Sequence, residues 1–132
     1  MSKRWNTSRT ATYNVSYHII FCPKYRRKVL INGIDARLKE LLIEKAKQMN
    51  LDIKSMEVMP DHVHLFISCE PTDNPQWIVK NLKGYSSKIL REEFPELKRK
   101  LPCLWTRSYY VESVGHISEA TILKYIAEQK NK

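Results

Sequence analysis

His62 and His64 stand two residues apart in the stretch Met59-Pro60-Asp61-His62-Val63-His64-Leu65-Phe66. In a strand, successive side chains point to opposite faces, so the two imidazoles share one face and are followed there by Phe66 and Ser68. Val63, Leu65, Ile67 and Cys69 take the other face, the pattern of a strand with one side on a core. Neutral imidazole is a common ligand for divalent ions, and two of them on a rigid strand can hold one. An ion held by two protein ligands is weakly bound and poorly oriented. The chemistry therefore needs a third donor and a group for the ion to act with. Pro60-Asp61 reads as a tight connection that sets where the strand begins. Asp61 is most simply a turn residue, with support of a metal-binding histidine as the second reading.

The elements that position this pair belong to a chain of 132 residues, a length suited to one domain with a real core. There are 23 Lys and Arg against 14 Asp and Glu, a net charge of +9, which favours a polyanionic partner. Nucleic acid ranks ahead of a membrane surface. No apolar run approaches a spanning length, and the basic start Ser2-Lys3-Arg4-Trp5-Asn6 is not followed by a signal-like apolar segment. Cys22, Cys69 and Cys103 are odd in number and widely spaced, which argues against a zinc knuckle or disulfide framework. The expected setting is a reducing cytoplasm, with no membrane.

In chain order, residues 1–9 read as a basic arm. Alternation from Thr10 to Phe21 gives a first strand, with Tyr13, Val15, Tyr17, Ile19 and Phe21 on one side. The basic run Lys24-Tyr25-Arg26-Arg27-Lys28 follows. Asp35 then caps a helix whose stripe is Leu38, Leu41, Leu42, Ala46 and Met49. Leu51 to Met59 is a second strand whose alternation slips near Ser55, as a bulge would require. The histidine strand pairs antiparallel with it. Asn74 and Pro75 start a second helix that buries Ile78, Leu82, Tyr85 and Ile89 and stops near Phe94-Pro95. Gly84 inside it suggests a close approach. Residues 95–102 read as a basic loop, Trp105 to Val114 as a fourth strand, and 117–131 as a last helix capped by Ser118. The order β-α-β-β-α-β is the ferredoxin-like arrangement: an α+β sandwich on an antiparallel sheet, with one helix added.

On that last helix Tyr125 and Gln129 lie four residues apart, hence on one face, at the edge of a stripe made by Ile122, Leu123, Ile126 and Ala127. An oriented tyrosine hydroxyl is a covalent nucleophile, and a glutamine carbonyl oxygen is an acceptable ligand for Mg2+ or Mn2+. Five stretches then carry a resemblance: 23–30 (PKYRRKVL), 59–65 (MPDHVHL), 82–88 (LKGYSSK), 108–115 (SYYVESVG) and 125–129 (YIAEQ). Together the chain resembles the single-tyrosine HUH transposases, the small enzymes of insertion sequences that move as single-stranded DNA. The resemblance implies one HUH domain over 1–132, metal ligands His62, His64 and Gln129, and nucleophile Tyr125. It also implies cleavage and rejoining of single-stranded DNA at hairpin-marked ends through a 5′-phosphotyrosine. Finally, it implies a homodimer with composite sites formed in trans.

Lys24, Arg26, Arg27 and Lys28, with Lys98, Arg99 and Lys100, are candidates for salt-sensitive phosphate contacts. Tyr25 and Trp105 are either base-stacking platforms or core and rim residues. His18 and His116 read as structural or solvated. His116-Ile117-Ser118 is half of a two-histidine phosphoesterase signature whose second half is absent, because His62-Val63-His64 is not one. The rival from another class is a non-catalytic RNA-binding module with the same strand order, which would carry exposed aromatics where this chain carries histidines.

Overall fold

The computed structural model describes residues 6–7, 12–13 and 15–113, together with Lys124, Ala127 and Glu128, which are helical. Two short strands, β1 (Asn6–Thr7) and β2 (Thr12–Tyr13), pair with each other, so the arm and the expected first strand are divided differently from the sequence reading. The main sheet holds β3 (Val15–Phe21), β4 (Asp52–Met59), β5 (His62–Cys69) and β6 (Tyr110–Ser113). Its order is β4-β5-β3-β6 and every pairing is antiparallel. With α1 (Ile34–Gln48) between β3 and β4 and α2 (Pro75–Glu93) after β5, this is the expected α+β ferredoxin-like sandwich.

One face of the sheet is the core. Ile19 and Phe21 of β3 and Val63, Leu65 and Ile67 of β5 pack with Leu38, Leu41 and Leu42 of α1 and Ile78, Leu82 and Leu90 of α2, all buried. Cutting one of these leucines to alanine costs roughly 2–5 kcal/mol. On the surface, Arg37 of α1 donates to both carboxylate oxygens of Glu93 on α2 at 2.8 and 3.0 Å. The bulge in β4 falls between Ile53 and Ser55, where the alternation slips. Asn74 caps α2 as expected, its Oδ1 accepting from the Gln76 amide at 2.7 Å.

Four expectations change. Gly33, at φ +96°, precedes α1 in place of Asp35, whose Oδ1 instead accepts from the Gly33 amide. Gly84 is exposed and a Cβ there would meet nothing within 4 Å, so no close approach explains it. The basic loop after Pro95 contains a short helix, α3 (Glu96–Lys100), anchored by buried Leu97. Trp105 is not in the fourth strand. It lies in the core, makes an isolated bridge with Pro23, and donates its Nε1–H to Ser86 Oγ at 3.1 Å. Among the described residues no helix is long and apolar enough to cross a membrane.

Candidate active site

The face of the sheet opposite the core carries the histidines. Register sets His18 of β3 against Phe66 of β5 on one side and Glu112 of β6 on the other, and sets Ile20 against His64 and Tyr110. His62, His64 and Phe66 alternate with the buried Val63 and Leu65, as strand geometry requires. His62 stands at the hairpin end, opposite Met59.

The two histidines have different partners. Asp61 Oδ1 accepts from His62 Nδ1 at 2.9 Å, and Asp61 Oδ2 receives the Arg26 guanidinium Nη2 at 2.9 Å. The three side chains are largely buried, at 17%, 14% and 14% exposure for Arg26, Asp61 and His62. With Nδ1–H directed at the carboxylate, the lone pair of neutral His62 is on Nε2, the form a metal takes. Burial pushes the Asp61 carboxyl up. The His62 hydrogen bond and the Arg26 charge outweigh that and hold it below the usual carboxylate range.

His64 faces another imidazole. Its Nε2 is 3.0 Å from Nδ1 of His18, which stacks on Phe66 with ring centroids 4.8 Å apart. One of those nitrogens must carry the proton. When it is His64 Nε2–H, the free lone pair of His64 is on Nδ1. Burial lowers the pKa of His64, reinforced by the neighbouring His18, and burial lowers that of His18 against the pull of Glu112. Both rings are therefore held neutral, the state in which imidazole binds metal. Glu112 Oε2 is buried without a hydrogen-bond partner among the described residues. His18 was read from sequence as structural or solvated; it is structural, and the partner it holds is His64. The alternation of β3 puts His18 on the polar face, but nothing local to it names the strand it meets.

The basic run divides. Arg26 turns inward to Asp61, so its guanidinium is engaged within the site and does not stand out beside its neighbours, while Arg27 and Lys28 are exposed and Lys24 Nζ lies 5.3 Å from the Tyr25 ring centroid. Lys98, Arg99 and Lys100 are exposed on α3. Trp105, a possible stacking residue, is buried at 6% exposure; Tyr25 is exposed at 68%. Among the described residues no group of three His, Cys, Asp or Glu side chains is arranged to hold a metal ion. Tyr125, Gln129 and His116 lie outside the described residues.

The chain is similar over most of its length to known proteins. It is 42% identical over 122 residues to the ISDra2 transposase TnpA of Deinococcus radiodurans, covering 91% of this chain and 87% of that one. It is 34% identical over 119 residues to the transposase of insertion sequence element IS200 of Salmonella typhimurium, covering 89% and 78%. A crystal structure of a Deinococcus radiodurans R1 protein assigned as a transposase superposes with TM-score 0.85 at 36% identity, covering 94% and 97%. A REP-associated tyrosine transposase bound to a REP hairpin shares the fold, with TM-score 0.60 at 15% identity over 93% of this chain and 68% of that one. A family model described as "Transposase IS200 like" matches residues 11–129. With the ferredoxin-like sheet presenting a histidine pair on its polar face, this chain belongs to the IS200-like transposase family.

Proposed function

We propose that this transposase cuts and rejoins single-stranded DNA through a tyrosine nucleophile, with Mg2+ or Mn2+ held by His62, His64 and Gln129. The observation that carries the reading is the pair of imidazoles on one face of β5, with His62 fixed by Asp61 at 2.9 Å. The donor set fits the ion: two imidazole nitrogens, with an amide oxygen as the third ligand from outside the described residues. When bound, the ion supplies charge stabilisation at a non-bridging oxygen of the scissile phosphate.

The chain's own groups do the rest. Arg26 and Asp61 hold His62 in one tautomer and orientation, and His18 holds the orientation of His64. Tyr125 Oη attacks phosphorus in line, its proton leaving to solvent. The bond to the 3′ oxygen breaks, giving a 5′-phosphotyrosine and a free 3′-OH. The bond energy is retained in that ester, so another 3′-OH can displace the tyrosine without ATP. A REP hairpin bound to a protein of this fold supports hairpin-marked DNA as the substrate. The resemblance further supports a homodimer with composite sites, Tyr125 and Gln129 from one chain acting beside His62 and His64 of the other.

The test is covalent capture on a single-stranded hairpin DNA. Tyr125→Phe should bind it normally and form no adduct, because only the attacking oxygen is lost. An adduct at normal yield would place the nucleophile elsewhere. Mixing His62→Ala/His64→Ala protein with Tyr125→Phe protein should restore cleavage through the one intact composite site of the heterodimer. No recovery after verified subunit exchange would rule out the trans arrangement.

A further inference from the structure

We propose that Tyr25 is a stacking platform for an unpaired base of the DNA strand beside the cleavage site, an inference that rests on the single-stranded DNA reading above. Among the described residues five large apolar side chains are exposed: Tyr25, Ile31, Ile43, Met59 and Trp77, with Tyr25 the most exposed at 68%. Three of them, Tyr25, Ile31 and Met59, sit on the two segments that meet at the start of the histidine strand. There the Leu30 amide donates to the Pro60 carbonyl at 3.1 Å and Arg26 pairs with Asp61. Exposed apolar surface is therefore gathered at the edge of the candidate active site.

The backbone holds the ring outward under strain. Tyr25 (φ 58°, ψ 16°) and Arg26 (φ 50°) are consecutive non-glycine residues in the left-handed region, unusual for a bulky side chain. The turn is tied down on every side. The Lys24 amide donates to the Leu104 carbonyl at 2.7 Å, the Arg26 amide to the Pro23 carbonyl at 2.8 Å, and Pro23 bridges to Trp105. This conformation sends adjacent side chains to different tasks: Arg26 inward to the carboxylate behind His62, Tyr25 into solvent.

The surrounding charge suits a nucleic acid. Lys24 Nζ is 5.3 Å from the ring centroid, and Arg27 and Lys28 are exposed next to it. A base laid on the ring would have its phosphates beside these cations, the combination of aromatic face and basic groove by which single strands are held. Every base has a π-face, so the contact would be tolerant of sequence. Trp105, the other aromatic considered for this role, is excluded by its burial and its hydrogen bond to Ser86.

The experiment uses full-length protein in the Tyr125→Phe background, which removes cleavage from the measurement. The probes are a hairpin DNA with a single-stranded thymidine tail, the same hairpin with an abasic tail, and the blunt hairpin. Tyr25→Ala should weaken binding to the thymidine tail by roughly 10- to 100-fold. It should change binding to the abasic and blunt probes little, and Tyr25→Phe should match the parent. Tyr25→Gly separates stacking from folding, since glycine accepts the positive φ freely. It should melt no lower than the parent and still lose tail affinity. Parental affinity of Tyr25→Ala for the thymidine tail, or equal losses on all three probes, would overturn the proposal while leaving the cleavage reading intact. So would a change in oligomeric mass by light scattering with no change in tail dependence, which would make Tyr25 a subunit contact. A parent protein that fails to bind the tail at all would overturn both readings.

Discussion

His62 and His64 are equivalent in the strand pattern and differ in what stands behind them. His62 leans on a carboxylate that is itself clamped by Arg26, a chain of two charge-assisted contacts at 2.9 Å each. His64 leans on a neutral imidazole whose own ring is stacked on Phe66. A carboxylate behind a ligating histidine raises its basicity and selects its tautomer, whereas an imidazole mainly selects orientation. The comparison teaches that a two-histidine motif can contain one ligand tuned by charge and one tuned by packing.

Removing the ligands themselves is the largest expected effect. His62→Ala and His64→Ala should each abolish cleavage and reduce Mn2+ affinity, measured by calorimetry, by more than the roughly 10–100-fold typical of losing a supporting partner. Unchanged affinity in both would dissolve the comparison, because neither imidazole would then be a ligand. Next comes the charge-tuned side. Asp61→Asn should weaken Mn2+ binding by about 10- to 100-fold, and nitrogen NMR should show His62 losing its single tautomer. Arg26→Gln should act in the same direction and more weakly, since the carboxylate stays. An Asp61→Asn protein with parental affinity and tautomer would show that the two histidines do not differ.

The packing-tuned side should answer differently. His18→Phe keeps the ring stack and removes the hydrogen bond, leaving His64 Nε2 without this partner. Urea denaturation should show a loss of about 1–3 kcal/mol, while Mn2+ affinity falls by less than about tenfold, below the usual range for an outer partner. A larger loss of affinity than in Asp61→Asn would invert the comparison.

The smallest effect is on the pH dependence of the metal-free protein. Burial holds His64 and His18 below the ordinary imidazole value of 6.5. As pH falls through that value the unfolded chain takes up protons before the folded one does. Stability is therefore full above about pH 6.5 and is lost progressively as pH drops toward the lower folded-state values. Asp61, held below the usual carboxylate range, adds a second loss at lower pH, in the same direction. His18→Phe should flatten the upper part of this curve, and Asp61→Asn the lower part. A parental profile in both variants would mean that other groups set the pH response.

Much of this molecule is determined by local rules that a sequence carries on its surface. The period-two alternation put Val63, Leu65 and Ile67 in the core and His62 and His64 together on the other face. The slip at Ser55 marked the bulge, and Asn74-Pro75 marked the start of α2, because caps and bulges are set by neighbours in the chain. Tertiary structure decided what contiguity cannot. His18 reaches His64 across 46 positions because β3 and β5 are paired in one register, and a shift of one residue would have turned His18 to the core. Arg26 leaves the row of cations around it because consecutive left-handed residues turn the chain, a backbone choice that neither Tyr25 nor Arg26 announces as glycine would. Trp105 goes to the core because Ser86, on a helix, offers its indole a partner. Side-chain type limits which contacts are possible. The sheet register and the strained turn choose among them, because they alone bring residues distant in the chain within hydrogen-bonding reach.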